Sequence, residues 1–246
     1  MPARLFHVNV NCTDLDRALG FYRDTLGLRP LARTTPTRPQ PGDAFGLAQA
    51  QGDAWILTGE DGLDGGALDL LAWHVPPPRR ARAPGGFDRL RLRARSGAAH
   101  ATTDPDGTTI ELLPGPAPRL AGLVVGCADV AASAAFYTDV VGLARLDATR
   151  LCDDRGPEGF VIELVAATRP VPPRVANDVG IYRVALITDA FERDHQALLD
   201  AGVRPYSAPA TLDMGPGLPS LRAVFFPDPD GSTLELIEQP VVTPSG

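Results

Sequence analysis

The sequence predicts an α+β protein built from repeated βαβββ units. Their mixed sheets are expected to be curved, and the second unit is shortened by loss of its helix. Three observations carry this. The stretch VNCTDLDRALGFYRDTLGL, 10–28, returns 115 residues later as VGCADVAASAAFYTDVVGL, 125–143, with Cys12/Cys127, Asp14/Asp129, Phe21/Phe136, Tyr22/Tyr137, Asp24/Asp139, Gly27/Gly142 and Leu28/Leu143 identical in register. The nonapeptide DPDGTTIEL, 104–112, returns as DPDGSTLEL, 228–236. Pro-rich stretches at 75–86, 114–118 and 170–178 divide the chain into four segments, about 4–74, 87–113, 119–169 and 179–239.

The first segment opens with His7-Val8-Asn9-Val10-Asn11-Cys12, whose polar–apolar alternation marks a half-buried strand. Val8, Val10 and Cys12 face one way, and His7, Asn9 and Asn11 the other. Asp14 is a good N-cap, Leu15, Leu19, Tyr22 and Leu26 recur at helical spacing, and Gly27 supplies the left-handed residue that ends the helix. A Pro-rich excursion over 34–42 precedes two strand candidates, 54–58 and 67–73. The third segment repeats this with a shorter excursion. The fourth has a strand over 182–187, a helix over 189–201 closed by Gly202, and two strands around the turn at Asp228-Pro229-Asp230-Gly231.

The second segment is a cut-down fourth. Its DPDG turn matches at an offset of 124, whereas Gly86-Phe87-Asp88-Arg89 matches Gly180-Ile181-Tyr182-Arg183 at an offset of 94. The difference equals the helix and following strand. Arg89, Arg91, Arg93 and Arg95 alternate with Leu90, Leu92 and Ala94. This cationic face is expected where the helix would have lain, meeting solvent or a partner.

Composition excludes several functions. The net charge of −7 argues against nucleic-acid or anionic-membrane surfaces. All 23 cationic side chains counted as Lys or Arg are Arg, so Schiff-base chemistry on lysine is absent. No apolar run is long enough to span a bilayer and no signal-peptide pattern follows Met1, so a cytoplasmic location is expected. Three Cys without CxxC spacing read as reduced thiols, Cys12 and Cys127 being small buried hydrophobes.

Superposing the units places two recurrent positions opposite the helices: His7, Asp88, Gly122 and Tyr182 on opening strands, and Asp69, Glu111, Glu163 and Glu235 on closing strands. The closing carboxylates alternate with apolar neighbours, a pattern that aims them into the concave side of a sheet. Trp55, Trp73 and Phe45 are candidates for an apolar wall, and core packing is the plainer role for each. His195, among charges, reads as surface, and His74 as rim.

The doubled strand–helix–three-strand unit, the FY…LG motif closing the first helix and DPDGxxxEL on the last strand resemble the vicinal oxygen chelate superfamily. That group includes glyoxalase I, bleomycin-resistance proteins and type I extradiol dioxygenases. The resemblance implies two paired-unit domains, 1–116 and 117–246, each pair curling into a cup-like half-barrel. In the family, ligands from opening and closing strands hold a divalent metal that chelates neighbouring oxygens of the substrate. Carried onto this chain, His7, Asp88 and Glu111 become metal ligands, with Asp69 as a fourth, for Fe, Mn, Ni or Zn. The family usually has His, Gln or Glu where Asp88 stands. The cup with Gly122, Glu163, Tyr182 and Glu235 is expected to be metal-free. Unit one pairing with two, or with four, is equally allowed.

On this resemblance the implied function is a lyase, isomerase or cyclase acting on a small carbonyl- or phenol-bearing substrate, including polyketide-type intermediates of GC-rich bacteria. Enolate chemistry would run through a Lewis acid or through acid–base pairs. The catalytic candidates are His7, Glu111, Tyr182 and Glu235, and the substrate-binding candidates are Asn9, Asn11, Trp55, Trp73, His100 and Glu163. The plain alternative for His7 is a hydrogen bond to Asp88 or Glu111. A metal-free drug- or metabolite-binding resistance protein is the first alternative function. Ring-cleaving dioxygenation is the second, and Phe225 and Ala101 stand where its signature wants Tyr and His. No nucleotide or flavin cofactor is implied. The partner is a small molecule, and a homodimer is compatible with the sequence.

Overall fold

A computed structural model describes residues 4–80, 86–95, 98–170, 172 and 174–239. The first unit comprises β1 (Arg4–Cys12), α1 (Leu15–Gly20), β2 (Arg29–Thr34), the short β3 (Gln40–Pro41), β4 (Gln49–Gly59) and β5 (Gly62–Val75). The second has β6 (Phe87–Ala94), β7 (His100–Thr103) and β8 (Thr109–Pro114). Five residues join β6 to β7, too few for the helix and strand the other units carry at this place. The third comprises β9 (Arg119–Cys127), α2 (Val130–Ala135), β10 (Ala144–Arg145), β11 (Arg150–Cys152) and β12 (Val161–Ala166). The fourth comprises β13 (Gly180–Thr188), α3 (Phe191–Asp200), β14 (Ala210–Leu212), β15 (Leu221–Pro227) and β16 (Thr233–Glu238).

The repeated stretch folds as its residues dictate. The Asp14 carboxylate accepts from the Arg17 N–H at 3.0 Å, and Asp129 accepts from Ala131 and Ala132. Each helix runs on into a wider turn, Phe21–Thr25 or Phe136–Val140, and stops at a left-handed glycine, Gly27 at φ 76° or Gly142 at φ 90°. Val8, Val10 and Cys12 are buried with Leu19 and Tyr22 in one core that also takes in Leu90, Leu92, Leu123 and Val125 from the other sheet. Cys12, Cys127 and Cys152 are buried free thiols.

Unit one pairs with unit four, and unit two with unit three. The first sheet runs β14-β15-β16-β13-β1-β5-β4-β2, with β1 antiparallel to β13, and the second runs β10-β11-β12-β9-β6-β8-β7, with β6 antiparallel to β9. Each cup therefore draws strands from both sides of residue 116. The two halves of the chain are tied another way. Tyr22 donates to Asp104 Oδ2 at 3.1 Å, and Tyr137 donates to Asp228 Oδ2 at 2.9 Å. The other oxygen of each aspartate caps its own DPDG turn, Asp104 accepting from Asp106 and Thr108, Asp228 from Asp230 and Ser232. The FY and DPDG motifs recur together because each tyrosine locks onto the turn of the unit that follows.

The arginine row corrects an expectation. Leu90 and Leu92 turn into the shared core, and Arg91 and Arg93 face the concave side, where Glu111, Glu163 and Glu158 neutralise them. With no helix to cover it, the strand still buries its leucines, because apolar burial outweighs any inherited orientation. No helix among the described residues is long and apolar enough to cross a membrane.

Candidate functional site

The concave face of the first sheet gathers polar side chains that alternation drives away from the core. On β5, Leu68, Leu70 and Ala72 are core, so Asp69, Leu71 and Trp73 point the other way. On β1 the same alternation presents His7, Asn9 and Asn11. Arg183 reaches in from β13 and Glu235 from β16.

Arg183 is the centre of this site. Its Nη2 donates to Asp69 Oδ2 at 2.8 Å and its Nε to Glu235 Oε2 at 2.7 Å, and its guanidinium lies 5.8 Å from the Phe225 ring centre. His7 Nε2 lies 3.7 Å from the same Asp69 oxygen and 3.5 Å from the same Glu235 oxygen. Asn9 Nδ2 donates to Asp69 Oδ2 at 3.0 Å and to the Asp69 carbonyl at 3.2 Å. All five side chains are buried. Burial works to raise the Glu235 carboxyl, yet Arg183 and His7 beside it hold it below its ordinary range. Burial likewise opposes the charge on Arg183, and the two carboxylates overrule it. Four buried polar atoms here have no hydrogen-bond partner at ordinary distance: His7 Nδ1 and Nε2, Asn9 Oδ1 and Arg183 Nη1.

A cavity of about 80 Å³ lies against Asp69 and Arg183, walled by Phe45, Trp73, Leu71 and Met214. The Pro-rich excursion roofs it. Gln40 exchanges hydrogen bonds with the backbone of Asp213 at 2.9 and 3.3 Å, and the Phe45 ring packs 5.6 Å from Trp73 and 4.8 Å from Phe225.

Asn11 is fully used in support: its Nδ2 donates to the Ala176 and Asp178 carbonyls, and its Oδ1 accepts from Trp73 Nε1 at 3.1 Å. Tyr182 packs with Trp73, Ala50 and Ala176, and burial pushes its hydroxyl up to about 12. Trp55 lies on the opposite side of its strand, partly buried against the core and under Arg33.

The set His7, Asp88 and Glu111 does not converge. His7 is in the first sheet, whereas Asp88 and Glu111 are in the second, and Asp88 is exposed and paired with Arg89. Glu163 and His100 also belong to the second sheet, His100 on its exposed edge strand. In that second cup Arg91 donates to Glu111 at 2.7 Å and to Glu163 at 2.5 Å, and the three side chains are only partly buried. Gly122 has no room for a side chain, since a Cβ there would meet the Val161 carbonyl oxygen at 2.0 Å.

Sequence reasoning missed Arg183 by one residue. Asn9 pairs with Asp69 and Ala185 with Glu235, so the counterpart of His7 on β13 is Arg183, and Tyr182, skipped by the register at a bulge, turns to the same side and packs on Trp73. Counting back from the start of each helix would have found it. Bulges between Leu5 and His7 and between Asn9 and Val10 hide the offset.

A divalent metal does not fit the first cup. Among the described residues no group of three or more His, Cys, Asp or Glu side chains is set to hold one. The nearest approach is His7, Asp69 and Glu235, and the carboxylate oxygens that face His7 are the two bonded to Arg183. A dication about 4 Å from the guanidinium would be repelled by roughly 8 kcal/mol at an effective dielectric of about 20.

A family model described as the Glyoxalase/Bleomycin resistance protein/Dioxygenase superfamily matches residues 4–100 and 119–236. Among solved structures, glyoxalase I from Zea mays is 19% identical with a TM-score of 0.67, covering 96% of this chain and 92% of that one. A Bacillus subtilis protein assigned provisionally as a dioxygenase is 14% identical with a TM-score of 0.66, covering 96% and 85%. At these identities the likeness is one of fold. No curated protein matches the sequence.

Proposed function

We propose that this chain, which belongs to the Glyoxalase/Bleomycin resistance protein/Dioxygenase superfamily, binds a small neutral carbonyl- or phenol-bearing molecule in its first cup and moves a proton on it. The reaction class is that of a lyase or isomerase working by acid–base chemistry. The observation that carries the reading is the buried, unpartnered Nη1 of Arg183, which lines the cavity beside Asp69. Native proteins seldom leave such groups unsatisfied unless something else is meant to bind them. Arg183 Nη1 would donate to the substrate oxygen as enolate charge develops there. Asp69, which lines the cavity, would take the proton, with His7 and Glu235 behind it as a reservoir. Two carboxylates face one guanidinium here, a balance that does not favour anionic substrates.

The apolar wall of Phe45, Trp73, Leu71 and Met214 favours a second reading, sequestration of an aromatic metabolite without turnover. One experiment separates the two. Chelator-treated protein is mixed with hydroxyaryl ketones, beginning with 2-hydroxyacetophenone, in D2O. Tryptophan fluorescence reports binding and NMR reports exchange of protons next to the carbonyl. The enzyme reading expects exchange that survives chelation and is lost in Asp69→Asn. Binding without exchange supports sequestration. Exchange that disappears on chelation would refute the metal-free reading.

A further inference from the structure

We propose that Arg183 is a built-in substitute for a divalent cation. His7, Asp69 and Glu235 form a three-donor site that the guanidinium holds shut, and removing the guanidinium opens it to metal. The inference does not depend on whether the cup turns over its ligand.

The donors come from three different strands, β1, β5 and β16, and point at one spot. Nε2 of His7 stands 3.7 Å from Asp69 Oδ2 and 3.5 Å from Glu235 Oε2. Tetrahedral ligands about 2.1 Å from a zinc-sized ion lie about 3.4 Å from one another. The two distances from the imidazole match that spacing, and the guanidinium between the carboxylates is what keeps the three from being set to hold an ion. What occupies the space between the carboxylates is positive charge delivered on a side chain, through Nε to Glu235 and Nη2 to Asp69.

Two further features mark the set as a ligand shell. The imidazole is 4% exposed, its Nδ1 has no hydrogen-bond partner, and its Nε2 has only the Glu235 carboxylate, at the long distance of 3.5 Å. A buried histidine serving only to pack would be expected to satisfy its ring nitrogens at ordinary hydrogen-bond distance. Asn9 orients Asp69 by donating to the oxygen that faces Arg183, the kind of outer contact that fixes a ligating carboxylate.

The second cup is an internal control. It too wedges an arginine, Arg91, between the closing-strand carboxylates Glu111 and Glu163. That arginine comes from a different register position: Arg91 pairs with Glu111 as Asn9 pairs with Asp69, whereas Arg183 occupies the place of His7. The two cups thus reach the same charge arrangement by different residues. Only the first has an imidazole beside it, because Gly122 stands where a histidine would be needed. Opening the second cup leaves two carboxylates and no third donor.

The test is Co2+ titration of the full, chelator-treated chain, followed by visible absorption and calorimetry. Wild type is expected to take up no stoichiometric Co2+. Arg183→Ala and Arg183→His are expected to bind one ion per chain, roughly 100-fold tighter than wild type, the scale on which single supporting contacts tune metal affinity. Adding His7→Ala should abolish the gain, and Arg91→Ala alone should produce none. If an Arg183 variant does not fold by itself, refolding with Co2+ should restore its far-UV circular dichroism. Stoichiometric Co2+ uptake by wild type that His7→Ala abolishes would overturn the proposal. So would folded Arg183 variants that gain no metal, or variants that no metal can refold.

Discussion

Replacing Arg183 with methionine tests how the cup is held together. Asp69 and Glu235 are 4% and 2% exposed, and in the variant both lose their charged partner. Breaking a buried ion pair from one side costs about 3–5 kcal/mol, since the remaining charge stays desolvated. In a chain of this size each kcal/mol moves the melting temperature by about 2–4 °C, so a fall of roughly 6–20 °C is expected at pH 7. The pH dependence is opposite in the two proteins. In wild type Glu235 is held below its ordinary value, so its contribution is present above the unfolded-state value and fades as pH falls through the folded one. In the variant the unpaired carboxyls are pushed above their unfolded values, so the penalty is greatest at neutral pH and shrinks as acid protonates them. The gap between the two melting curves, followed by circular dichroism from pH 7 down to pH 4, should therefore narrow. Adding Asp69→Leu and Glu235→Leu to the variant should recover most of the loss, because a well-packed apolar triad replaces a buried ionic one at little cost. A single variant as stable as wild type at pH 7, or a gap that widens in acid, would refute the argument.

Tyr22→Phe and Tyr137→Phe each remove a buried hydroxyl from a carboxylate and should each cost about 1.5–3 kcal/mol in urea unfolding, by similar amounts because the two ties are equivalent. An effect confined to one of them would break the claimed equivalence. Gly122→Ala forces a methyl against the Val161 carbonyl oxygen and should cost at least about 1–3 kcal/mol, whereas Gly107→Ala, at an open turn with φ 94°, pays only backbone strain. Comparable melting temperatures for wild type and Gly122→Ala would show that β9 and β12 are not so close.

Much of the fold was legible because it is local and repeated. The N-cap aspartates, the terminal glycines and the DPDG turns are short-range signals whose physics does not depend on what surrounds them. The pairing of units was not legible, since an opening strand carries no mark of which other opening strand it meets. The arginine row of β6 shows a related limit. Period-two alternation says that two faces differ, and only the packed structure says that Leu90 and Leu92 take the core. Within the site, His7, Asp69 and Glu235 stood out as inward polar residues. Arg183 did not, because strand bulges shift the register by one and an arginine between strands reads as solvated until its carboxylate partners are seen. Glu111 and Asp88 were joined to His7 on the expectation that neighbours in sequence share a cup, and the sheet order separates them.

That order has a consequence for the history of the chain. Hydrogen-bonded strands link unit one to four and two to three, while the tyrosine–aspartate ties link one to two and three to four. Every unit therefore leans on two others, and the four close a ring. A polypeptide of half this length would leave β1 and β6 with bare edges, and it would complete the circuit only against a second copy of itself. The protein has the architecture of such a pair joined end to end, with one half carrying a helix that the other lacks.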